Sequence, residues 1–298
     1  MSDDTDMPEG WQGQFLGEEL LPAENDKASA LFHVIPCGLE KTVSYGAGTA
    51  RGPHAIIEAS HQLERLYEGE EPCQNGIFTE AEIDCTGDIK DGLAQLEAAV
   101  GAAVSSQHIP IILGGEHSLT YGAMMGVLGA GSGPVGIIQI DAHADLREAY
   151  QGQPHSHASV MHLLGQQGVP IFQLGVRALC REEADRRAEY NIEYIDAAQL
   201  VRGQISQINL PDGFPEHIYI SFDLDGLDPS IMAATGTPVA GGLGFYQALD
   251  LLASATKGRK IIGADIVELA PHPAHPHCDF TAAQICYAVM GLAAKRRD

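Results

Sequence analysis

Three short segments carry ionisable side chains at a spacing that could do chemistry. In Asp141-Ala142-His143-Ala144-Asp145 the charged and imidazole groups alternate with alanine. In extended backbone, side chains at i, i+2 and i+4 project the same way, so Asp141, His143 and Asp145 converge on one point. Asp223 and Asp225, in Ser221-Phe222-Asp223-Leu224-Asp225, repeat the arrangement. In Gly114-Gly115-Glu116-His117-Ser118, two glycines allow a tight turn with close backbone approach, and His117 follows them. Ser118 is placed to cap the next helix. Close carboxylates repel one another unless a cation or a proton joins them. The four carboxylates and two imidazoles make a hard, oxygen-rich set that suits Mn²⁺ better than structural zinc. Six such groups exceed what one ion with open positions needs. Two ions about 3.5–4 Å apart, bridged by carboxylates, fit them better.

Any one of these segments alone would pass for turn or capping chemistry. Their setting argues otherwise, because each ends an apolar run: IPIIL before Gly114, VGIIQI before Asp141 and HIYISF before Asp223. Runs that are apolar throughout mark strands covered on both faces, as in a parallel sheet. Candidate strands fall at 31–36, 77–83, 109–113, 135–140, 170–176, 192–195, 218–222 and 260–266, and amphipathic helices at 88–106, 119–128, 181–190, 245–257 and 281–295. The alternation predicts a three-layer α/β/α sandwich on a mainly parallel sheet of about eight strands. Open sheets of this kind bind ligands beyond the carboxyl ends of their strands. Residues 1–25 read as an acidic N-terminal tail or arm, and residues 26–298 as one catalytic domain.

Composition narrows the function classes. The formal net charge is −23, which repels nucleic acid and anionic membranes and favours a small cationic substrate. No apolar run approaches the ~20 residues that span a bilayer. The N-terminus lacks the basic and apolar regions of a signal peptide. The six cysteines form no CxxC pair. Cys37, Cys180 and Cys286 sit in or beside apolar segments, where a thiol acts as a small buried hydrophobe. A cytoplasmic protein is therefore expected.

GGEHS, DAHADL and SFDLDGLDPS resemble the three metal-binding signatures of the ureohydrolase family, which includes arginase and agmatinase. The resemblance runs from about residue 31 to the C-terminus. Glu116 departs from the family's usual Asp. The resemblance implies an arginase-like fold, two Mn²⁺ per chain with nickel as the alternative, and trimers or hexamers. It implies that Asp141 and Asp223 bridge the two ions, that His117 and Asp145 complete one site, and that His143 and Asp225 complete the other. Asp228 is expected as a turn and cap residue. Gly236-Thr237-Pro238 with Gly241-Gly242 resembles a family loop near the site, which puts Thr237 in contact with substrate. Glu268, in VELAP, matches the acid that holds the guanidinium. His157, in HSHAS, matches the family's mobile catalytic histidine, and His155 two residues earlier is the alternative.

The block DLREAYQGQPHSHAS is similar to bacterial agmatinases. It implies hydrolysis of agmatine to putrescine and urea, with attack on the guanidinium carbon by a metal-bridged hydroxide that Asp145 holds by a hydrogen bond. The alternatives are arginase, other guanidino-acid, guanidine or formimino hydrolases of the family, and a metal-binding pseudoenzyme. The stretch PHPAHPHC (271–278) holds three histidines among three prolines. It is expected to be a loop without fixed ligand spacing, near the pocket entrance.

Overall fold

The computed structural model describes residues 13–295. In chain order the elements are β1 (Phe32–Cys37), α1 (Gly52–Ser60), β2 (Ile77–Thr79), α2 (Ile89–Ser105), β3 (Ile109–Gly114), α3 (Leu119–Gly129), β4 (Val135–Ile140), α4 (Val160–Gln166), β5 (Ile171–Leu174), α5 (Arg181–Glu189), β6 (Glu193–Ile195), α6 (Ala197–Arg202), β7 (His217–Asp223), α7 (Phe245–Ala255), β8 (Lys260–Val267) and α8 (Pro276–Lys295). The strands form one sheet in the order β2-β1-β3-β8-β7-β4-β5-β6, and every pairing is parallel.

The apolar runs are buried on both faces because helices cover both. Phe32, Val34, Ile138, Ile140, Ile218, Ile220 and Phe222 face a core built with Ile56 and Ile57 of α1, Leu251 and Leu252 of α7, and Tyr287 and Met290 of α8. The alternate residues Ile35, Ile112, Ile137 and Tyr219 face Leu93 and Leu96 of α2, Val127 of α3, and Met161 and Leu164 of α4. The period of two sends neighbouring residues to opposite layers. Each fully buried Ile or Leu contributes about 1.5–3 kcal/mol. The three-layer α/β/α sandwich predicted from the alternation is the observed architecture.

Strand order places the site. The chain leaves the middle of the sheet after β3, builds β4, β5 and β6 outward, and returns with β7 and β8 to fill the gap. The C-terminal ends of β3, β8, β7 and β4 therefore lie side by side, at the point where an open sheet makes its crevice.

Several expected boundaries are corrected. The run at 77–83 is a strand only at Ile77–Thr79, because β2 is an edge strand with β1 as its one partner. Helix α8 starts at Pro276, so His277 and Cys278 lie in its first turn rather than in a loop; proline's fixed φ and missing N–H suit the start of a helix. Helices α1, α4 and α6, of nine, seven and six residues, are not among those expected; α4 and α6 span too few turns to show periodicity. Within the described part of residues 1–25, some side chains join the core. Phe15 and Leu16 are fully buried, and their N–H groups donate to Thr79 Oγ1 (2.9 Å) and Ser60 Oγ (2.8 Å). The tail assigned to residues 1–12 lies outside the described residues. No described helix is long and apolar enough to cross a membrane.

Candidate metal centre

Beyond β3 the chain turns at Gly115, where a Cβ would stand 2.1 Å from the Leu39 carbonyl oxygen. Only glycine passes that close, and the turn aims His117 under the sheet edge. Ser118, expected to cap α3, instead donates to Glu116 Oε1 (2.5 Å). The His117 ring is buried, with Nε2 2.8 Å from Ser221 Oγ. Ser221 in turn donates to Asp265 Oδ1 (2.8 Å), while Tyr219 and Thr120 donate to Asp265 Oδ2 (2.8 and 2.9 Å). A carboxylate accepts only, so the Ser221 proton points at Asp265 and the Ser221 oxygen must accept from His117 Nε2–H. In a neutral ring that leaves His117 Nδ1 as a bare lone pair.

Nδ1 faces three carboxylate oxygens: Asp145 Oδ2 at 2.8 Å, Asp141 Oδ2 at 3.1 Å and Asp223 Oδ2 at 3.3 Å. None of these approaches makes a well-directed hydrogen bond, and among the described residues Nδ1 is buried without a partner. His143 Nδ1 lies 3.0 Å from Asp225 Oδ2 and 3.6 Å from Asp141 Oδ1. His117, Asp141 and Asp145 form one group whose ligand atoms all lie within 4.8 Å of one another, and Asp141, His143 and Asp225 form a second. The two groups share Asp141. An orphaned imidazole nitrogen aimed at converging carboxylates fits a cation between them, and two groups with a common carboxylate fit a pair of divalent ions.

The titration behaviour shows how strongly this cluster favours positive charge. Burial opposes a charge on His117, yet Asp141, Asp145 and Asp223 push its pKa well above the usual value. Burial likewise opposes charging His143, and Asp141 and Asp225 raise it to about 12. Burial, then repulsion from Asp141, lifts Asp145 to about 7. Burial, then Asp225 and Asp141, raises Asp223 well above the carboxylate range. The cluster carries more negative charge than its buried setting tolerates and draws in positive charge to balance it.

A further layer fixes the ligand atoms. Gln139 Nε2 donates to Asp141 Oδ2 (2.6 Å), and the His143 N–H to Asp141 Oδ1 (2.6 Å). Gln173 Nε2 donates to Gln139 Oε1 (2.7 Å). Asp225 Oδ1 accepts from the Ala142 N–H (3.0 Å), and Asp225 Oδ2 from Thr237 Oγ1 (3.2 Å). The Arg177 guanidinium donates to the carbonyls of Asp225 and Leu227 (2.7 and 3.1 Å) and pins that turn. Asp145 and Glu268 both hold positive φ, 54° and 67°, a conformation that costs a side-chain-bearing residue about 1–3 kcal/mol.

A cavity of about 470 Å³ opens above the cluster. His117, His143, Asp145, Asp223, Asp225, Thr237, His157 and Glu268 line it, while Asp141 lies behind them, fully buried. Glu268 Oε1 accepts the His117 N–H (2.7 Å). Burial, then Glu116 against an opposing bond from His117, raises Glu268 to about 8. His157 stands at the wall with its ring edge-on to Tyr150 (5.3 Å). Burial, then positive charge in the cluster at His117 and His143, lowers its pKa to about 4. His155 packs on Tyr121 instead (5.5 Å). Cys180, expected buried, borders the cavity, as do Arg147, Tyr150 and Glu183. Asp228 behaves as the turn residue expected, accepting from Ser230, Gly241 and Gly242. The histidines of 271–278 do not line the cavity.

Sequence reasoning missed Asp265, Ser221, Gln139, Gln173, Arg177, Thr42 and Ser44. Asp265 and Gln139 had a signal, being polar residues inside buried apolar runs. Thr42 and Ser44 had none, since hydroxyl residues are ordinary in loops.

The arginase family model matches residues 30–291. The N(1)-aminopropylagmatine ureohydrolase of Synechocystis sp. is 33% identical, with 93% of each chain covered. An agmatinase of Pyrococcus horikoshii is 31% identical over 91% of this chain and 94% of its own. The solved structure of an agmatine ureohydrolase from Thermoplasma volcanium matches with a TM-score of 0.80 at 26% identity, covering 97% of each chain.

Proposed function

The chain belongs to the arginase family, and from that premise we propose that it hydrolyses agmatine to urea and putrescine with two divalent cations, Mn²⁺ by preference. The observation that carries this reading is the pair of ligand groups sharing Asp141 beneath the cavity, with the His117 lone pair turned toward three carboxylates. In it, His117 and Asp145 would hold one cation and His143 and Asp225 the other, with Asp141 and Asp223 as carboxylates available to both. When bound, such a pair supplies Lewis acidity that makes a water a competent nucleophile near neutral pH.

The chain's own side chains do the rest. Glu268 has one oxygen tied to the His117 N–H, and the other is free to take a planar guanidinium through charge-assisted hydrogen bonds. The arriving cation stabilises the carboxylate form that burial opposes. Thr237, bonded to Asp225, borders the same space and holds the substrate from the other side. Asp145 accepts a hydrogen bond from the nucleophile. His157, neutral at its lowered pKa, takes a proton at a ring nitrogen and returns it to the leaving amine. The net charge of −23 draws a dicationic substrate toward the cavity.

A second reading has a specific observation in its favour. The Synechocystis relative carries the name N(1)-aminopropylagmatine ureohydrolase, and the cavity extends past the cluster to Tyr150 and Glu183. That leaves room for an N-aminopropyl extension. The test is urea release by the Mn²⁺-loaded protein from agmatine, N1-aminopropylagmatine and arginine. Agmatine should give the highest kcat/KM; a clear preference for the aminopropyl derivative moves the assignment to the second reading, and turnover of arginine alone overturns both.

A further inference from the structure

The segment between β1 and α1 reaches the cavity wall through a chain of hydrogen bonds that fixes proton positions. Glu116 Oε2 accepts the N–H groups of Lys41 and Thr42, both at 2.6 Å, and Oε1 accepts from Thr42 Oγ1 at 2.8 Å and Ser118 Oγ at 2.5 Å. A carboxylate that takes four donors has no proton to offer, so the single Thr42 hydroxyl proton points at Glu116. The Thr42 oxygen keeps two lone pairs. One takes the His157 backbone N–H at 3.0 Å. The other faces His157 Nδ1 at 3.1 Å and must receive a proton from it. A neutral imidazole with Nδ1 protonated is bare at Nε2, and the Ser44 hydroxyl lies 2.7 Å from Nε2 as its donor. Ser44 lines the cavity.

We infer that Glu116 and Thr42 are positioning residues that lock His157 in the Nδ1–H tautomer and present its Nε2 lone pair, through Ser44, to the cavity. Nε2 then takes up one proton and gives one proton to the leaving amine, while Nδ1 keeps its own throughout. Without the Thr42 oxygen the ring is free to turn over, and half of its orientations point the wrong nitrogen at the substrate. This rests on His157 as the proton-carrying group of the proposed function.

The experiment uses the full chain. In the Mn²⁺-loaded protein Thr42→Val should lower kcat on agmatine about 10- to 100-fold, the range seen when a group that orients an active-site imidazole is removed. KM and bound Mn²⁺ should be unchanged, and Thr42→Ser, which keeps the oxygen, should restore the rate. A packing role would instead move KM or metal content, and serine would not rescue it. In ¹⁵N-histidine-labelled protein loaded with diamagnetic Zn²⁺, the His157 resonances should report Nδ1 protonated. Thr42→Val at the full rate, or a wild-type His157 protonated at Nε2, overturns the inference. If the wild-type chain releases no urea from any guanidino substrate, the proposed function fails, and the tautomer measurement still decides this point. If Thr42→Val does not fold, the wild-type spectrum alone decides it.

Discussion

Two regions of the molecule gather imidazoles, with opposite results. His272, His275 and His277 fall within six residues of one another, and neighbouring rings stand 5.6 and 5.8 Å apart. His117 and His143 follow different strands, β3 and β4. The crowded region has exposed rings at His272 and His277, and its prolines admit no regular alternation. The hydrogen bonds of its rings are local: His272 Nδ1 accepts the Ala274 N–H, and His277 Nε2 lies 3.5 Å from Cys278 Sγ. The sparse region has its side chains at or just beyond the C-terminal ends of the parallel strands β3, β4 and β7, and buried hydrogen bonds from Ser221 and Asp265 turn one imidazole lone pair toward three carboxylates. Metal chemistry follows from which atoms are held facing one another, and residue type alone does not supply that.

If this contrast is right, perturbations should grade with depth in the strand-end network. Asp223→Ala should do the most. It removes a carboxylate that faces His117 and should abolish urea release together with tightly bound metal, as read by elemental analysis; full turnover would end the dinuclear assignment. His157→Phe comes next. It should lower kcat by about 10²–10⁴-fold with metal content intact, whereas loss of metal would place His157 among the ligands. Asp265→Asn touches no ligand cavity, yet it turns an amide toward three hydroxyl donors. Metal affinity should fall about 10–100-fold by equilibrium dialysis, and stability by about 1–3 kcal/mol by chemical denaturation. Unchanged affinity would show that the Ser221–Asp265 chain does not orient His117. The double change His272→Ala with His275→Ala should leave turnover unchanged and stability within about 0.5 kcal/mol. A drop in metal content there would erase the contrast.

How much of this was legible follows from range. The six ligand candidates show in the sequence because each acidic or imidazole cluster directly follows an apolar run; the extended alternation expected of them stops at the strand ends, since β4 ends at Ile140, Asp145 turns to positive φ and Asp225 sits in a 3-10 turn. The sheet was legible for the same reason, since runs such as VGIIQI leave few options. Asp265 was not, because its meaning depends on Thr120, Tyr219 and Ser221, three residues that only the fold brings to it. Thr42 and Glu116 are separated by 74 positions, and neither shows a pattern that names the other. Phe15 and Leu16 were hidden by the acids around them, although two adjacent large apolar side chains are worth about 3–6 kcal/mol when buried. Position after an apolar run thus reveals the ligands, and only tertiary contact reveals what aims them.

The most direct test is the number of divalent cations each chain holds. Metal-free protein dialysed to equilibrium against Mn²⁺ should bind two per chain, and Asp141→Ala, which breaks the carboxylate common to both ligand groups, should retain neither tightly. One ion or none on the wild-type chain, or an Asp141→Ala protein that still holds two, would contradict a centre built on shared carboxylates at the strand ends.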